Sequence, residues 1–266
     1  MHSQSGRISR RRFMAMAGGA AFGMASLGMP ARAWCAGTVP VRSVRVLSVH
    51  DHAPEAFTQG LLLQDGVLFE STGRYGQSDV RRVDWKTGRV LDRRPLPDEY
   101  FGEGLALAGK TLYQLTWQEG TVFLYDVATL RPTGQLSYRG EGWGLAWDGR
   151  QFYMSDGSAD IATRSKDFAL QKSVTVRGAS GPVQELNELE LVPGALLANV
   201  WQTWQVAYIE PQTGRLLSWL DLTPLREDLA KKGASHGVAN GLAWDGAAGQ
   251  LLVTGKNWPL LYAVRI

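Results

Sequence analysis

Five stretches of this chain repeat one layout at intervals of about forty residues, and a period of that length builds stacked supersecondary units around one core. The stretches begin Gln59-Gly60-Leu61, Glu103-Gly104-Leu105, Trp143-Gly144-Leu145, Asn187-Glu188-Leu189 and Asn240-Gly241-Leu242. Their leucines are 44, 40, 44 and 53 residues apart. Within the units, Asp65-Gly66, Asp148-Gly149 and Asp245-Gly246 mark tight turns, and Lys86-Thr87-Gly88 and Gln212-Thr213-Gly214 mark later hairpins. No unit contains the long 3.6-residue period that an α/β crossover needs. Units of this size made of four short strands are propeller blades. The expected fold is therefore all-β, a five-bladed β-propeller; a β-sandwich or open sheet has no need of so regular a period.

A ring of blades must join its ends or leave two bare strand edges. The final unit has room for three strands only, at 242–244, 250–254 and 260–266, whereas residues 41–50 read as a strand without a unit. Residues 44–50 are accordingly expected to supply the outer strand of the last blade. The long interval before that blade holds Thr223-Pro224 and a helical pattern ending near Gly233. It predicts a short inserted helix with Thr223 as N-cap, proline in its first turn and glycine at its stop.

The first strand of each blade lines the central channel, so equivalent positions in the repeats become neighbours in space. The residues before the Gly-Leu equivalents are Gln59, Glu103, Trp143, Asn187 and Asn240. A second ring, at the ends of the second strands, holds Trp117, Trp201 and Lys256, with Gly73 and Gly157 in the other two units. Phe57 and Phe101 precede the first ring by two residues. Polar groups on an aromatic surround read as a ligand pocket. Trp85, Trp147, Trp219 and Trp244 fall at packing positions, and Asp156 and Asp160 read as turn acids. Glu103 lies between glycines that cannot shield it; on position alone it is either a pocket acid or a solvated surface glutamate.

The chain has 266 residues, 44% hydrophobic and 20% charged, which excludes disorder as its main state. A pI near 9.0 invites a nucleic-acid reading, but residues 1–33 carry Arg7, Arg10, Arg11, Arg12 and Arg32 and no acid. Without those five, 23 basic residues face 25 acidic ones, a net of −2. No basic face for nucleic acid follows. Ser9-Arg10-Arg11-Arg12-Phe13-Met14, an apolar run to Pro30, and Ala31-Arg32-Ala33 resemble a twin-arginine export signal with a small-residue cleavage site. The run is short and glycine-rich for a membrane anchor. The expected organisation is a cleaved signal at 1–33, a linker at 34–40 and one domain at 41–266, in the periplasm or secreted. Cys35 is the sole cysteine, so no intrachain disulfide can form. The four histidines, His2, His50, His52 and His236, are too few and too scattered for a histidine-rich zinc site or a Ser-His-Asp nucleophile. Phosphate-binding glycine loops are absent.

A series of segments then carries a family likeness. They are FTQGL at 57–61, ESTG at 70–73, YGQS at 75–78, FGEGL at 101–105, QLTWQ at 114–118, GWGL at 142–145, SDG at 155–157, LNELE at 186–190, NVW at 199–201, NGL at 240–242 and TGKNWP at 254–259. In this order they resemble the glutamine cyclotransferases (glutaminyl cyclases) of plant and bacterial type. The resemblance implies a five-bladed propeller that closes an N-terminal glutamine of a peptide or protein into pyroglutamate and releases ammonia. It implies Glu103 as acid/base, Gln59, Asn187 and Lys256 as polar partners, and Phe57, Phe101, Trp117, Trp143 and Trp201 as the aromatic surround. It implies no required cofactor and leaves room for a structural ion such as calcium. The protein is expected to act as a monomer, without nucleic acid and without membrane attachment once the signal is removed. Two other classes stay open at this point: a binding propeller for peptides or glycans, and a metal-dependent propeller hydrolase or lyase.

Overall fold

The computed structural model describes residues 38–234 and 237–266. The export signal expected at 1–33, Cys35, most of the 34–40 linker and His236 lie outside the described residues.

The described chain is all-β and propeller-like, with one α-helix among the described residues. Its strands form five sheets, and the innermost strands of those sheets touch one another in a closed cycle. The first sheet runs outward through Thr58–Gln64, Val67–Thr72, Asp79–Asp84 and Arg89–Pro95, every pair antiparallel. The sequence explains the direction. Thr58–Gln64 is buried where it begins and half-buried beyond, whereas Arg89–Pro95 is charged and almost wholly exposed. An inner strand has neighbours on both faces, and an outer strand meets water. The other sheets repeat the scheme from the inner strands Gly102–Ala108, Leu145–Trp147, Leu186–Val192 and Ala239–Asp245.

Each pair of neighbouring sheets encloses its own apolar cluster, so the core is divided among five seams. Leu61 and Val83 meet Leu252 and Ala263 where the first sheet faces the last. Leu105 and Leu112 meet Phe69 and Val80 one seam further on. A fully buried leucine or valine contributes roughly 1.5–3 kcal/mol of transfer free energy, so the stability of the ring is spread over its seams.

The spare strand closes the ring. Arg45–Asp51 pairs antiparallel with Leu260–Arg265 and completes a four-stranded last sheet with Ala239–Asp245 and Gln250–Gly255. The expectation of five similar blades is corrected at the fourth unit. Four sheets have four strands each, but the fourth unit lies in a seven-stranded sheet. The outer strand Arg215–Asp221 does not end that sheet: Val41–Ser43 and Arg177–Gly178 both pair with it in parallel, and Gly181–Pro182 adds to the latter. Residues 41–50 therefore split at Val44, with the first part serving the fourth sheet and the second part the last.

The inserted helix spans Thr223–Lys231 and buries Leu225 and Leu229 against the seam of the fourth and last sheets. Thr223 is its first helical residue rather than its cap. The N-cap position is Leu222, and the carboxylate of Asp221 accepts the Thr223 N–H at 2.9 Å. Among the described residues no helix is long and apolar enough to cross a membrane.

Candidate active site

The inner strands place their polar residues by breaking register. In four of the five sheets the pairing of the first strand with the second shifts, between Thr58 and Gly60, Gly102 and Leu105, Leu186 and Leu189, and Ala239 and Leu242. Gln59, Glu103, Asn187 and Asn240 sit inside these irregularities, and a bulge re-aims the side chain it carries. The third inner strand starts at Leu145, so Trp143 lies just ahead of it. The glycine that follows is a close-approach position: a Cβ on Gly144 would lie 2.1 Å from the carbonyl oxygen of Asn187 in the next inner strand. In an antiparallel pair the start of one strand faces the end of the next. Trp117, Trp201 and Lys256, each one residue past a second strand, therefore reach the same end as the bulges.

All nine side chains expected at the site line one cavity of about 420 Å³. Phe57 and Phe101 meet edge to face at 6.2 Å, Phe101 and Trp117 at 5.6 Å, and Trp143 and Trp201 at 5.8 Å. Gly157, with φ +83°, is the position over which the Trp143 indole lies; a Cβ there would stand 2.7 Å from the ring. Lys256 holds its ammonium 4.9 Å from the centre of Phe57, and the Arg74 guanidinium lies 4.4 Å from the same centre.

Glu103 is buried and, among the described residues, has one side-chain hydrogen bond, from Gln59 Nε2 to its Oε1 at 2.8 Å. Gln59 is oriented in turn. Asn240 Nδ2 donates to the carbonyl of Thr58 and to Gln59 Oε1, both at 3.1 Å. The backbone carbonyl can only accept, so it fixes which end of the Asn240 amide faces Gln59, and hence which end of Gln59 faces Glu103. Gln59 thus spends a donor on the acid itself.

Burial pushes Glu103 well above the usual carboxylate range; the charge of Lys256 opposes this, and Glu119 and Glu141 reinforce it. Burial likewise pulls Lys256 below the ordinary lysine range, against the attraction of Glu103. Lys256 and Glu103 face one cavity without forming a close ion pair. Desolvation outweighs attraction, so the carboxyl retains high proton affinity. Asn187 is also buried, and its Oδ1 has no hydrogen-bond partner among the described residues.

Three carboxylates near the site were not singled out by the repeat. Glu119 and Glu141 belong to the segments beside Trp117 and Trp143; Glu119 takes the Tyr75 hydroxyl at 2.8 Å, and Glu141 takes both indoles. Glu188 occupies the place that glycine holds in the other four Gly-Leu pairs, and that exception was its signal. Its carboxyl spans the axis, accepting the N–H groups of Leu61 at 3.3 Å and Leu242 at 3.0 Å. It joins the inner strands of three sheets. No group of three or more His, Cys, Asp or Glu among the described residues is placed to hold a metal ion.

A buried carboxyl of raised proton affinity beside a lysine, on an aromatic surround, suits proton transfer on a small folded substrate group. Comparison with known proteins agrees with that chemistry. A family model described as glutamine cyclotransferase matches residues 20–266. A glutaminyl-peptide cyclotransferase of Arabidopsis thaliana is 40% identical over 230 residues, which cover 85% of this chain and 72% of that protein. The crystal structure of Myxococcus xanthus glutaminyl cyclase superposes with a TM-score of 0.80 at 35% identity, covering 86% of this chain and 98% of that one. With the match running through every segment that builds the cavity, the chain belongs to the glutamine cyclotransferase family.

Proposed function

We propose that this protein is a glutaminyl-peptide cyclotransferase whose site is the cavity around Glu103. The observation that carries this reading is the buried Glu103, held by Gln59 inside an aromatic cavity, in a chain of this family. The substrate's α-nitrogen attacks the δ-carbon of its own side-chain amide, a five-membered ring forms, and the bond to the amide nitrogen breaks. Glu103 takes a proton from the attacking nitrogen and returns it to the departing one, so the products are a lactam that keeps one N–H and a molecule of ammonia. No protein nucleophile is required. A free peptide amine has a pKa of about 7.7–8.0 and is largely protonated near neutrality, so a carboxyl of raised affinity is a better acceptor than an ordinary one.

In this scheme the Lys256 ammonium and the Asn187 amide hold the oxygen that gains charge as the ring closes. Gln59 keeps Glu103 facing the reacting nitrogen. Phe57, Phe101, Trp117, Trp143 and Trp201 exclude water and hold the glutamine side chain folded toward its amine. The scheme uses no cofactor, and one copy of the chain supplies every side chain in it. The seven-stranded sheet acts as the fourth of five blades, its extra strands being additions to the outer edge. The Arg10-Arg11 segment and Ala31-Arg32-Ala33 support export, which makes periplasmic or extracellular peptides the substrates. Incubation with a glutamine-initiated peptide is expected to release one ammonia per peptide, with the matching mass loss. An unchanged peptide mass would refute the reading, and dependence on an added divalent metal would favour the hydrolase class.

A further inference from the structure

One side chain outside the cavity grips two of its walls. Glu141 stands between the second and third sheets, two residues ahead of Trp143. Its Oε2 accepts the indole N–H of Trp117 at 2.8 Å and that of Trp143 at 3.0 Å, while its Oε1 accepts the Gln118 amide at 2.9 Å. Trp117 follows the strand Thr111–Thr116 of the second sheet, and Trp143 precedes the first strand of the third. A single carboxylate oxygen therefore joins walls from two sheets. The backbone brings it there: the Gly142 N–H donates to the Trp117 carbonyl at 2.9 Å.

The carboxylate is half-buried. Burial alone would raise its proton affinity, but the donors from Trp143, Gln118 and Trp117 outweigh burial and hold it below the usual carboxylate range. It is ionised at neutral pH, and both indole bonds are charge-assisted. An indole has one polar atom. With that atom held from behind, each ring is fixed in its plane and turns apolar surface to the cavity.

We infer that Glu141 is a positioning residue for cyclisation, fixing the Trp117 and Trp143 indoles as a pair and so setting the width of the slot that takes the folded glutamine side chain. This rests on the cyclotransferase reading above. The carboxylate does not itself line the cavity, and its charge helps raise the proton affinity of Glu103, an effect on chemistry that loss of the charge to Met or to Gln shares; the clamp adds an effect on binding that only loss of the acceptors brings in full.

The experiment compares Glu141→Met, which keeps length and removes both acceptors, with Glu141→Gln, which keeps one acceptor oxygen. Steady-state kinetics on a glutamine-initiated peptide are read beside the tryptophan indole N–H signals in NMR spectra of the free protein. Glu141→Met is expected to raise KM about tenfold, the scale of a lost hydrogen bond to a charged group, with kcat changed less than about threefold. The Trp117 and Trp143 signals should move upfield together. Glu141→Gln should recover most of the KM while moving both signals part of the way. Unmoved indole signals in Glu141→Gln overturn the clamp, even where Glu141→Met fails to fold. A loss confined to kcat overturns the positioning role. The NMR signals need no turnover, so a wild-type protein that released no ammonia would fail the cyclotransferase reading while leaving the clamp separately decided.

Discussion

Two glutamates of this protein are equally hidden from water and behave in opposite ways. Glu103 lines the cavity and its proton affinity is raised. Glu70 lies at the seam where the first sheet meets the last, and its affinity is lowered. Burial pushes both upward; the partners decide the outcome. Glu70 Oε1 accepts His52 Nε2 at 3.1 Å and the Thr58 hydroxyl at 2.7 Å, and the positive charge of Arg81 acts on it as well. His52 donates from its other nitrogen to the Trp258 carbonyl at 2.7 Å. Both partners of the ring are acceptors, so it is an imidazolium. Burial would lower the affinity of His52, but the charge and hydrogen bond of Glu70 outweigh burial and raise it. Glu103 has one neutral amide and a lysine outside ion-pairing distance. The seam sets two hydrogen bonds and two positive charges against its carboxylate, while the cavity leaves its own under-compensated, and an under-compensated acid is one that can exchange a proton.

The contrast is tested most severely by Glu103→Gln. The new amide keeps an acceptor oxygen for Gln59, so the fold and melting temperature should hold, while kcat falls by roughly 10²–10⁴, the usual worth of a positioned acid/base. Retention of near-normal turnover would break the comparison at its centre. At the seam the order reverses. His52→Ala strands a buried charge and should cost about 3–5 kcal/mol of folding stability, read by denaturant unfolding. The pH dependence has a definite sign. His52 contributes stability that is complete below its unfolded pKa and lost as pH rises through its raised folded value. Glu70 contributes stability that is present above its unfolded pKa and lost as pH falls through its lowered folded value. The pair therefore stabilises between those limits, and stability measured against pH in His52→Ala should lack that plateau.

Lys256→Met sharpens the contrast from the cavity side. Lysine is what pulls Glu103 back toward the ordinary range. Its removal should raise the affinity of Glu103 further, moving the acid limb of kcat/KM to higher pH. Loss of an oxyanion donor should also lower kcat by about 10². An acid limb that stayed in place would show that Lys256 does not act on Glu103.

The ring and the content of the cavity were legible because a period of residues in one dimension becomes a circle in three. Gln59, Glu103, Trp143 and Asn187 hold equivalent positions of the repeat, and the cavity contains all four. The spare strand at 44–50 was legible by subtraction, since the last unit lacked one strand and one strand lacked a unit. What pattern could not show was pairing across sheets. Glu141 meets Trp117 across 24 positions of sequence, and His52 meets Trp258 across 206; no local rule relates such residues. The parallel additions of Val41–Ser43 and Arg177–Gly178 to the fourth sheet were hidden for a related reason, because short edge strands carry little alternation. The helix start departs from the expectation because Thr223 is a good capping residue in isolation, yet Asp221 stands two positions earlier and its carboxylate accepts the N–H of Thr223 itself, which draws Thr223 into the first turn.

The smallest effect bears on how the under-compensated acid keeps even its one partner. Asn240 does not line the cavity, but its Nδ2 locks the Gln59 amide with the donor end toward Glu103. Asn240→Ala removes that lock. The Gln59 amide is then free to turn, and in half a turn it presents an oxygen to Glu103 in place of an N–H. Activity should fall only roughly fivefold, the worth of one neutral hydrogen bond of about 1 kcal/mol. The diagnostic is direction. Loss of a donor to the carboxylate raises the affinity of Glu103, so the acid limb of kcat/KM should move to higher pH, as in Lys256→Met, while KM stays near the wild-type value. Asn240→Asp should move it further the same way, because its carboxylate draws the N–H₂ of Gln59 away from Glu103. A limb that moved to lower pH in either variant would mean that Gln59 does not stabilise the charged form of Glu103, and the contrast with the seam would then rest on burial, Lys256 and the neighbouring acids Glu119 and Glu141.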